Sequence, residues 1–159
     1  MHLLRLLALA LLLPGTALAQ VAPASSSKAV AELRALHEKV MRAHRESNKE
    51  VLLEDEAVDY VVASRGEISR PTIQQRRERL GAYLKASSFS ESRDLVEPIV
   101  SVSADSSMGW VVVQVSARGK QLTKTGEEVP LEFVSAWIEL YERRGEKWQR
   151  TGNISNFKP

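Results

Sequence analysis

Apolar side chains recur at helical spacing near the start of the chain, over residues 28–46. Intervals that alternate between three and four residues predict a helix with one set of side chains on a single face. This set is Val30, Leu33, His37, Val40 and His44. The stretch KEVLLED follows, and Ser47 or Asn48 can cap a short second helix there by accepting a backbone hydrogen bond. Two helices are therefore predicted ahead of the first strand.

A third helix is predicted over residues 71–86, where the helical spacing returns. Thr72 and Gln75 fit a capping box, in which each side chain accepts a hydrogen bond from the other residue's backbone N–H group. One side of this helix carries the apolar residues Ile73, Leu80, Tyr83 and Leu84. The other side carries three arginines, which we interpret as a face turned to solvent: Arg76, Arg77 and Arg79.

Strand-forming residues dominate the rest of the chain. The stretch AVDYVVAS is rich in β-branched and aromatic residues, and RGEIS turns it back as a hairpin. After Phe89 only strands are predicted, from VEPIVSVS, GWVVVQVSA, VPLEFVSAWIELYE and KWQRTGNISNF. These strands contain the tryptophans Trp110, Trp137 and Trp148, which are expected in the core. Trp137 could line a pocket instead.

The stretch LEFVSAWIELY is apolar on both of its faces. By strand alternation one face carries Leu131, Phe133, Trp137 and Tyr141, and the other carries Val134, Ala136, Ile138 and Leu140. A strand of this kind is expected to be covered on both sides. Helices can cover one side, and the other needs a second sheet, a folded-back segment or another subunit.

The last strand is crowded with polar residues. Alternation puts Trp148, Arg150, Ile154 and Asn156 on one face and Gln149, Thr151, Asn153, Ser155 and Phe157 on the other. Gly152 permits a bulge or bend within it. Asn153, Ile154 and Ser155 match a glycosylation acceptor, which we discount because the site falls within a strand.

Segregated helices and strands predict an α+β fold. We expect a cone-shaped molecule, with a strongly curved antiparallel sheet, about three helices packed on its concave side and a pocket at the open end. A single domain is expected over residues 28–159. Residues 20–27 are mostly Ala, Pro and Ser, which predicts a flexible leader.

Residues 1–19 have the pattern of a secretory signal peptide. Arg5 precedes an apolar run from Leu6 to Leu13, and small residues at Ala17 and Ala19 predict cleavage after Ala19. The run is far shorter than the roughly 20 residues of a membrane-spanning helix, although an uncleaved anchor is the alternative. We therefore expect an exported chain, periplasmic or secreted, that has no membrane contact after cleavage.

Composition argues against one class of partner and excludes two covalent features. The chain has 22 basic and 20 acidic side chains, and Arg5 belongs to the signal peptide, so the mature chain is nearly balanced in charge. Nucleic-acid binding needs a clear cationic excess, and no such partner is expected. There is no cysteine, so disulfides and lipid attachment through an N-terminal cysteine are both excluded.

Four stretches together resemble a known superfamily: AHRESNKEVLLEDEAVDYVVASRGEI, SRPTIQQRRERLGAYL, VSADSSMGWVVVQV and SAWIELYERRGEKWQRTGNISNF. They are similar to exported bacterial members of the nuclear transport factor 2-like superfamily, in its SnoaL-like and ketosteroid-isomerase-like branch. The resemblance spans about residues 28–157. It implies a conical α+β fold, frequent dimerisation through the exposed sheet face and a pocket put to very different uses.

The isomerase members imply an Asp base on the first strand, a Tyr on the first helix and a carboxylic acid on a later strand. Here the first helix has no aromatic residue. The first strand has Asp59, but Val61 and Val62 stand near the position expected for the base. Glu132 and Glu139 are the acids available in LEFVSAWIELY. The isomerase set is therefore absent from the expected positions, and Asp59 is interpreted mainly as a hairpin charge.

Two histidines, His37 and His44, lie on the apolar stripe of the first helix. Seven residues separate them by roughly 10 Å along the helix axis, too far to share one metal ion. The stretch HEKVMRAH also lacks the second histidine four residues on that a zinc-protease helix needs. No metal or cofactor is expected, and each histidine is either a proton carrier or a hydrogen-bonded core residue.

The residues favour a binding domain over an enzyme, without settling the choice. A small, mostly apolar molecule is expected in the cone and a homodimer through the sheet, with the pocket lined by His37, Met41, His44, Tyr60, Tyr83, Trp137 and Asn153. The alternative is an isomerase, cyclase or hydratase that pairs His44 or His37 with Asp59, Asp94 or Asp105. A third hypothesis is a dimeric, partner-binding domain without a ligand.

Overall fold

The structure, a computed structural model, describes the backbone of residues 24–158 and the side chains of residues 26–156. The predicted signal peptide, residues 1–19, and the first part of the predicted leader lie outside the described residues. In the part that is described, no helix is both long enough and apolar enough to span a membrane.

Three helices form where the periodicity predicts them: α1 Ala24–Arg45, α2 Lys49–Glu54 and α3 Ile73–Ala86. α1 begins inside the stretch predicted as a flexible leader, because residues 24–27 add backbone hydrogen bonds to a helix that is already nucleated. The Asn48 side chain accepts from the Val51 N–H at 3.2 Å and caps α2. The capping box of Thr72 and Gln75 is confirmed at the start of α3.

Seven strands form one sheet: β1 Glu56–Ser64, β2 Glu67–Ser69, β3 Ser87–Asp94, β4 Ile99–Val102, β5 Met108–Leu122, β6 Glu128–Arg144 and β7 Lys147–Lys158. Their order is β2-β1-β7-β6-β5-β3, with β4 also paired to β5. The α+β class is confirmed, but the sheet is mixed because β1 and β7 run parallel. A parallel pair needs a long connection, and residues 65–146, which hold α3 and the other five strands, lie between these two strands.

The core lies between α1 and one face of the sheet. Ala29, Leu33 and Met41 of α1 pack on the β5 valines and on Tyr141 and Trp148. Alternation along β5 turns Val111, Val113 and Val115 toward α1, and the register with β6 sets the odd-numbered residues of β6 on the same face. This helix-covered face holds the buried side chains that define the site described below.

The opposite face of the sheet is called the open face. Directly paired residues of neighbouring strands share a face, and one apolar row crosses the strands in register: Ile68, Ala63, Ile154, Ile138, Val112 and Ile99. Ile68, Ile154 and Ile99 are 79%, 46% and 63% exposed. Trp110 also lies here and is partly exposed, so the prediction that it belongs to the core is wrong.

A bulge in β7 changes which of its residues face α1. Tyr141 pairs with Arg150 and Leu140 with Gly152, so Thr151 is an extra residue in the ladder. The expected bulge at Gly152 is therefore confirmed. The predicted face assignment is wrong beyond it, because one extra residue reverses the alternation. Asn153 and Ser155 join Trp148 on the helix-covered face, and Ile154 turns to the open face.

Candidate functional site

A pocket of about 280 Å³ opens between α1, α3 and the helix-covered face of β6 and β7. We call it the α1 pocket, and it is lined by Val40, Met41, His44, Tyr83, Ser92, Phe133, Ser135, Trp137, Asn153 and Ser155. No lining side chain is a carboxylate, an ammonium or a guanidinium. Ligand sites in proteins span roughly 300–1,000 Å³ and are mostly apolar with a few polar groups, so the pocket suits a small, uncharged molecule.

Three local features bring these side chains together. On α1, His44 follows Met41 by three residues, which puts both on one helical face. On β6, strand alternation brings Phe133, Ser135 and Trp137 to the same side. On β7, the bulge at Thr151 turns Asn153 into the pocket. The bulge is thus the reason that the last strand contributes a polar amide to this wall.

His44 and Tyr83 form a polar but uncharged edge of the pocket. The His44 Nε2 and the Tyr83 hydroxyl are 3.4 Å apart, and the His44 ring lies 4.4 Å from that of Phe89, centroid to centroid. Burial, and next the charge of Arg45, lower the pKa of His44 below its usual value near 6.5. Burial raises the pKa of Tyr83 to about 12. Both groups are therefore neutral at neutral pH.

His37 is buried beside the pocket, between two carboxylates. Its Nε2 lies 3.1 and 3.2 Å from the two Asp94 oxygens, and its Nδ1 lies 3.8 Å from Glu139 Oε2, an ion-pair distance. Burial alone would lower the pKa of His37, but Glu139 and Asp94 outweigh it and raise the pKa. The protonated ring is therefore favoured at this position, in contrast to His44.

Glu139 is fully buried and is held by several donors. It accepts hydrogen bonds from Trp137 Nε1 at 3.0 Å and from the Tyr141 hydroxyl at 2.7 Å. Arg150 Nη1 lies 3.9 Å from Glu139 Oε1. Burial would raise the pKa of Glu139, but the interactions with His37, Arg150 and Trp137 outweigh it and lower the pKa to about 2. The carboxylate therefore stays ionised in the core.

The ion pairs continue from Glu139 to α3. Arg150 Nη2 contacts Glu56 Oε1 at 2.7 Å, and Glu56 Oε2 contacts Arg76 Nε at 2.9 Å. Arg76 also donates to the Ala57 carbonyl at 2.9 Å. We call the full series the buried charge network: Asp94, His37, Glu139, Arg150, Glu56 and Arg76. Charges alternate along it, and with His37 protonated they balance.

The structure places the predicted ligand-binding residues in two groups. Met41, His44, Tyr83, Trp137 and Asn153 line the α1 pocket. His37 and Tyr60 do not line it. His37 belongs to the buried charge network, and Tyr60 is buried with the Arg76 guanidinium 4.7 Å from its ring centroid and that of Arg150 5.9 Å away.

Within the part of the chain that the structure describes, the three acids considered for catalysis have different contacts, and only one of them contacts a histidine. Asp94 contacts His37, whereas Asp59 is exposed and accepts hydrogen bonds from Arg144 Nη1 and Nη2 at 2.9 and 2.8 Å. Asp105 accepts hydrogen bonds from Ser103 and Ser107 in its own turn. Among the described residues, no group of three or more His, Cys, Asp or Glu is arranged to hold a metal ion.

Sequence reasoning missed the buried charge network, although two signals for it were present. Glu139 alternates with Trp137 and Tyr141 on the buried side of β6, and an acid there requires buried partners. Arg76 was predicted to face solvent with Arg77 and Arg79. It lies three residues after Ile73 and four before Leu80, on the apolar stripe of α3, and only 7% of it is exposed.

No protein-family model matches the sequence, and no curated protein matches it significantly. Solved structures do match. A ketosteroid isomerase-like protein from Erwinia carotovora atroseptica is 13% identical, with a TM-score of 0.63 over 82% of this chain and 97% of that one. A nuclear transport factor 2-like protein from Cytophaga hutchinsonii is 12% identical, with a TM-score of 0.62 over 79% and 95%. A hexachlorocyclohexane dehydrochlorinase is 13% identical, with a TM-score of 0.61 over 81% and 84%. Identities this low establish the fold alone.

Proposed function

We propose that this chain, which has the nuclear transport factor 2-like fold, is an exported binding domain that holds a small, mostly apolar, uncharged molecule in the α1 pocket. The observation that carries the proposal is the lining of the pocket, which combines apolar walls with neutral polar groups and no ionised side chain. A charged ligand would lose its hydration there without gaining a counter-ion. A neutral apolar ligand loses little favourable hydration and gains contact with Met41, Phe133 and Trp137.

Asn153→Asp is expected to weaken binding of a neutral apolar molecule. The change keeps the shape of the side chain and introduces a charge into the pocket wall, where a bound ligand would cut off its hydration. With N-phenyl-1-naphthylamine as the fluorescent molecule, we expect about tenfold weaker binding or more, measured by titration. Asn156→Asp is the matched control, because Asn156 lies on the same strand but is exposed outside the pocket. Equal affinities in the two variants would contradict the proposed pocket.

We further propose that two copies associate through the open face. Its centre carries the apolar row that includes Ile154, Ile138 and Val112. At the two ends of the same face, charges are already paired within the chain, as in Arg118 with Glu132 at 2.9 Å and Arg144 with Asp59 at 2.8 Å. Two such faces can meet without opposing unpaired charges, which matches the apolar centre and polar rim of stable interfaces.

Native mass spectrometry of the protein recovered from the exported fraction is expected to show a homodimer of the chain that begins at Gln20. Ile154→Asp should give a monomer, because it puts a charge at the apolar centre of the pairing surface. Ile73→Asp is the control, since Ile73 is also partly exposed but starts α3, away from the open face. A wild-type monomer, or a dimer that survives Ile154→Asp, would contradict association through this face.

The second candidate is an enzyme of the isomerase, cyclase or hydratase kind, and the contact between His37 and Asp94 favours it. One structure with the same fold is a dehydrochlorinase, so the fold is compatible with catalysis. The enzyme hypothesis pairs a carboxylate with a histidine that also faces the substrate, within reach of the proton it would abstract. Here the two properties belong to different residues: His37 contacts the Asp94 carboxylate, whereas His44 lines the α1 pocket. Binding is therefore the better-supported proposal.

A further inference from the structure

A second cavity, of about 470 Å³, shares Tyr83 with the α1 pocket. It is bounded by α2, β1 and α3, and we call it the α3 cleft. Its lining is formed by Leu53, Glu56, Val62, Arg65, Pro71, Arg76, Arg79, Leu80 and Tyr83. The cleft therefore combines an apolar floor with several charged groups, whereas the α1 pocket carries no ionised side chain.

The charges around the α3 cleft favour an anion. Three arginines line it, against one carboxylate, that of Glu56. Glu56 is already engaged on both oxygens, by Arg150 at 2.7 Å and by Arg76 at 2.9 Å, so it does not neutralise Arg79. Arg79 is exposed at the rim. The Arg79 guanidinium thus places a positive charge next to the apolar lining residues.

Arg76 provides the second, independent observation. It is buried, with Nε at an ion-pair distance of 2.9 Å from Glu56 Oε2 and Nη2 donating to the Ala57 carbonyl. Its Nη1 group is also buried and, like Nε, has no hydrogen-bond partner among the described residues. A buried donor without an acceptor is destabilising, and an anionic oxygen in the cleft would lower that penalty by supplying an acceptor or, at longer range, a compensating charge.

We propose that the α3 cleft binds an organic monoanion, a carboxylate or a sulfonate on an aliphatic or aromatic body. The anionic group lies beside Arg79, whose guanidinium can donate to two of its oxygens at once. The buried Arg76 adds a second positive charge to the lining. The body of the ligand lies on Leu53, Val62 and Leu80. The site is distinct from the α1 pocket, although Tyr83 contributes to both linings.

Two fluorescent molecules that share one skeleton test the inference on the full mature chain. 8-Anilinonaphthalene-1-sulfonate carries the anionic group, and N-phenyl-1-naphthylamine is the same skeleton without it. Arg79→Gln is expected to weaken binding of the sulfonate about tenfold or more, because a charged hydrogen bond is lost, and to leave binding of the neutral molecule unchanged. Arg77→Gln is the matched control, since Arg77 lies on the same helix, pairs with Glu50 and does not line the cleft.

The outcomes separate the two sites. Loss of sulfonate binding in Arg79→Gln but not in Arg77→Gln supports the α3 cleft, whatever the neutral molecule does in the Asn153 variant. Equal sulfonate affinities in the two arginine variants overturn the inference. So does sulfonate binding that depends on Asn153 instead, because the anion would then occupy the α1 pocket. Failure of the neutral molecule to bind at all contradicts only the proposed function.

Discussion

Replacing Glu139 with Gln is expected to lower the free energy of unfolding by about 3–5 kcal/mol, the usual effect of removing one partner from a buried ion pair. Glu139 is the carboxylate between His37 and Arg150, and it also accepts from Trp137 and Tyr141. The amide can still accept one hydrogen bond from those donors. It cannot compensate two buried cations, which are then left partly unpaired in the core.

Urea denaturation measures this change, and Glu132→Gln is the control. Glu132 lies on the same strand but is exposed and pairs with Arg118 at the surface, so its substitution should leave stability nearly unchanged. A second readout is the pKa of His37, followed by NMR, which should fall in Glu139→Gln because the carboxylate that raises it is gone. Equal stability of the two variants, or an unchanged His37 pKa, would show that the network is not coupled through Glu139.

The network also explains why one wall of the α1 pocket is fixed. Trp137 lines the pocket, and its Nε1 donates to Glu139, which does not line it. The indole orientation is thus set by a buried carboxylate that is itself held by Arg150. Preorganised walls bind more tightly because less side-chain freedom is lost on binding. The charges therefore support the proposed pocket without entering it.

Local features of the fold were predictable from the sequence because local chemistry determines them. The cap of α2 at Asn48 and the capping box of Thr72 and Gln75 depend on residues three apart. The hairpin of β1 and β2 depends on one short turn. The main strands follow from alternation and β-branched composition. Each of these signals is read within a window of a few residues.

Long-range features were not predictable in the same way. The parallel pairing of β1 with β7 depends on how the chain returns after β6, which no local pattern encodes. The bulge at Thr151 moves Asn153 to the pocket side only because Leu140 pairs with Gly152. The contact of His37 with Asp94 joins α1 to β3 across 57 residues. For this reason the helical part of the pocket was largely predicted, and most of the β-strand part was not.

Gly119→Ala is expected to lower the free energy of unfolding by about 3 kcal/mol, at the upper end of ordinary overpacking. Gly119 pairs with Phe89 where β3 changes register, and a Cβ at this position would lie 1.9 Å from the Ser88 carbonyl oxygen. The obstacle is backbone, so no rotamer change relieves it, and β3 must shift. Phe89 packs on His44, so the shift should also weaken binding in the α1 pocket.

Gly81→Ala is the matched control for Gly119→Ala and should raise the free energy of unfolding instead of lowering it. Gly81 lies inside α3, and its Cβ would meet only the flexible Lys49 side chain at 3.4 Å. Alanine is favoured over glycine in a helix interior, so stability should rise by about 0.5–1 kcal/mol. Urea denaturation of both variants checks the pair. A stable Gly119→Ala protein with unchanged pocket affinity would mean that β3 moves freely against β5, contrary to the close approach of the two backbones.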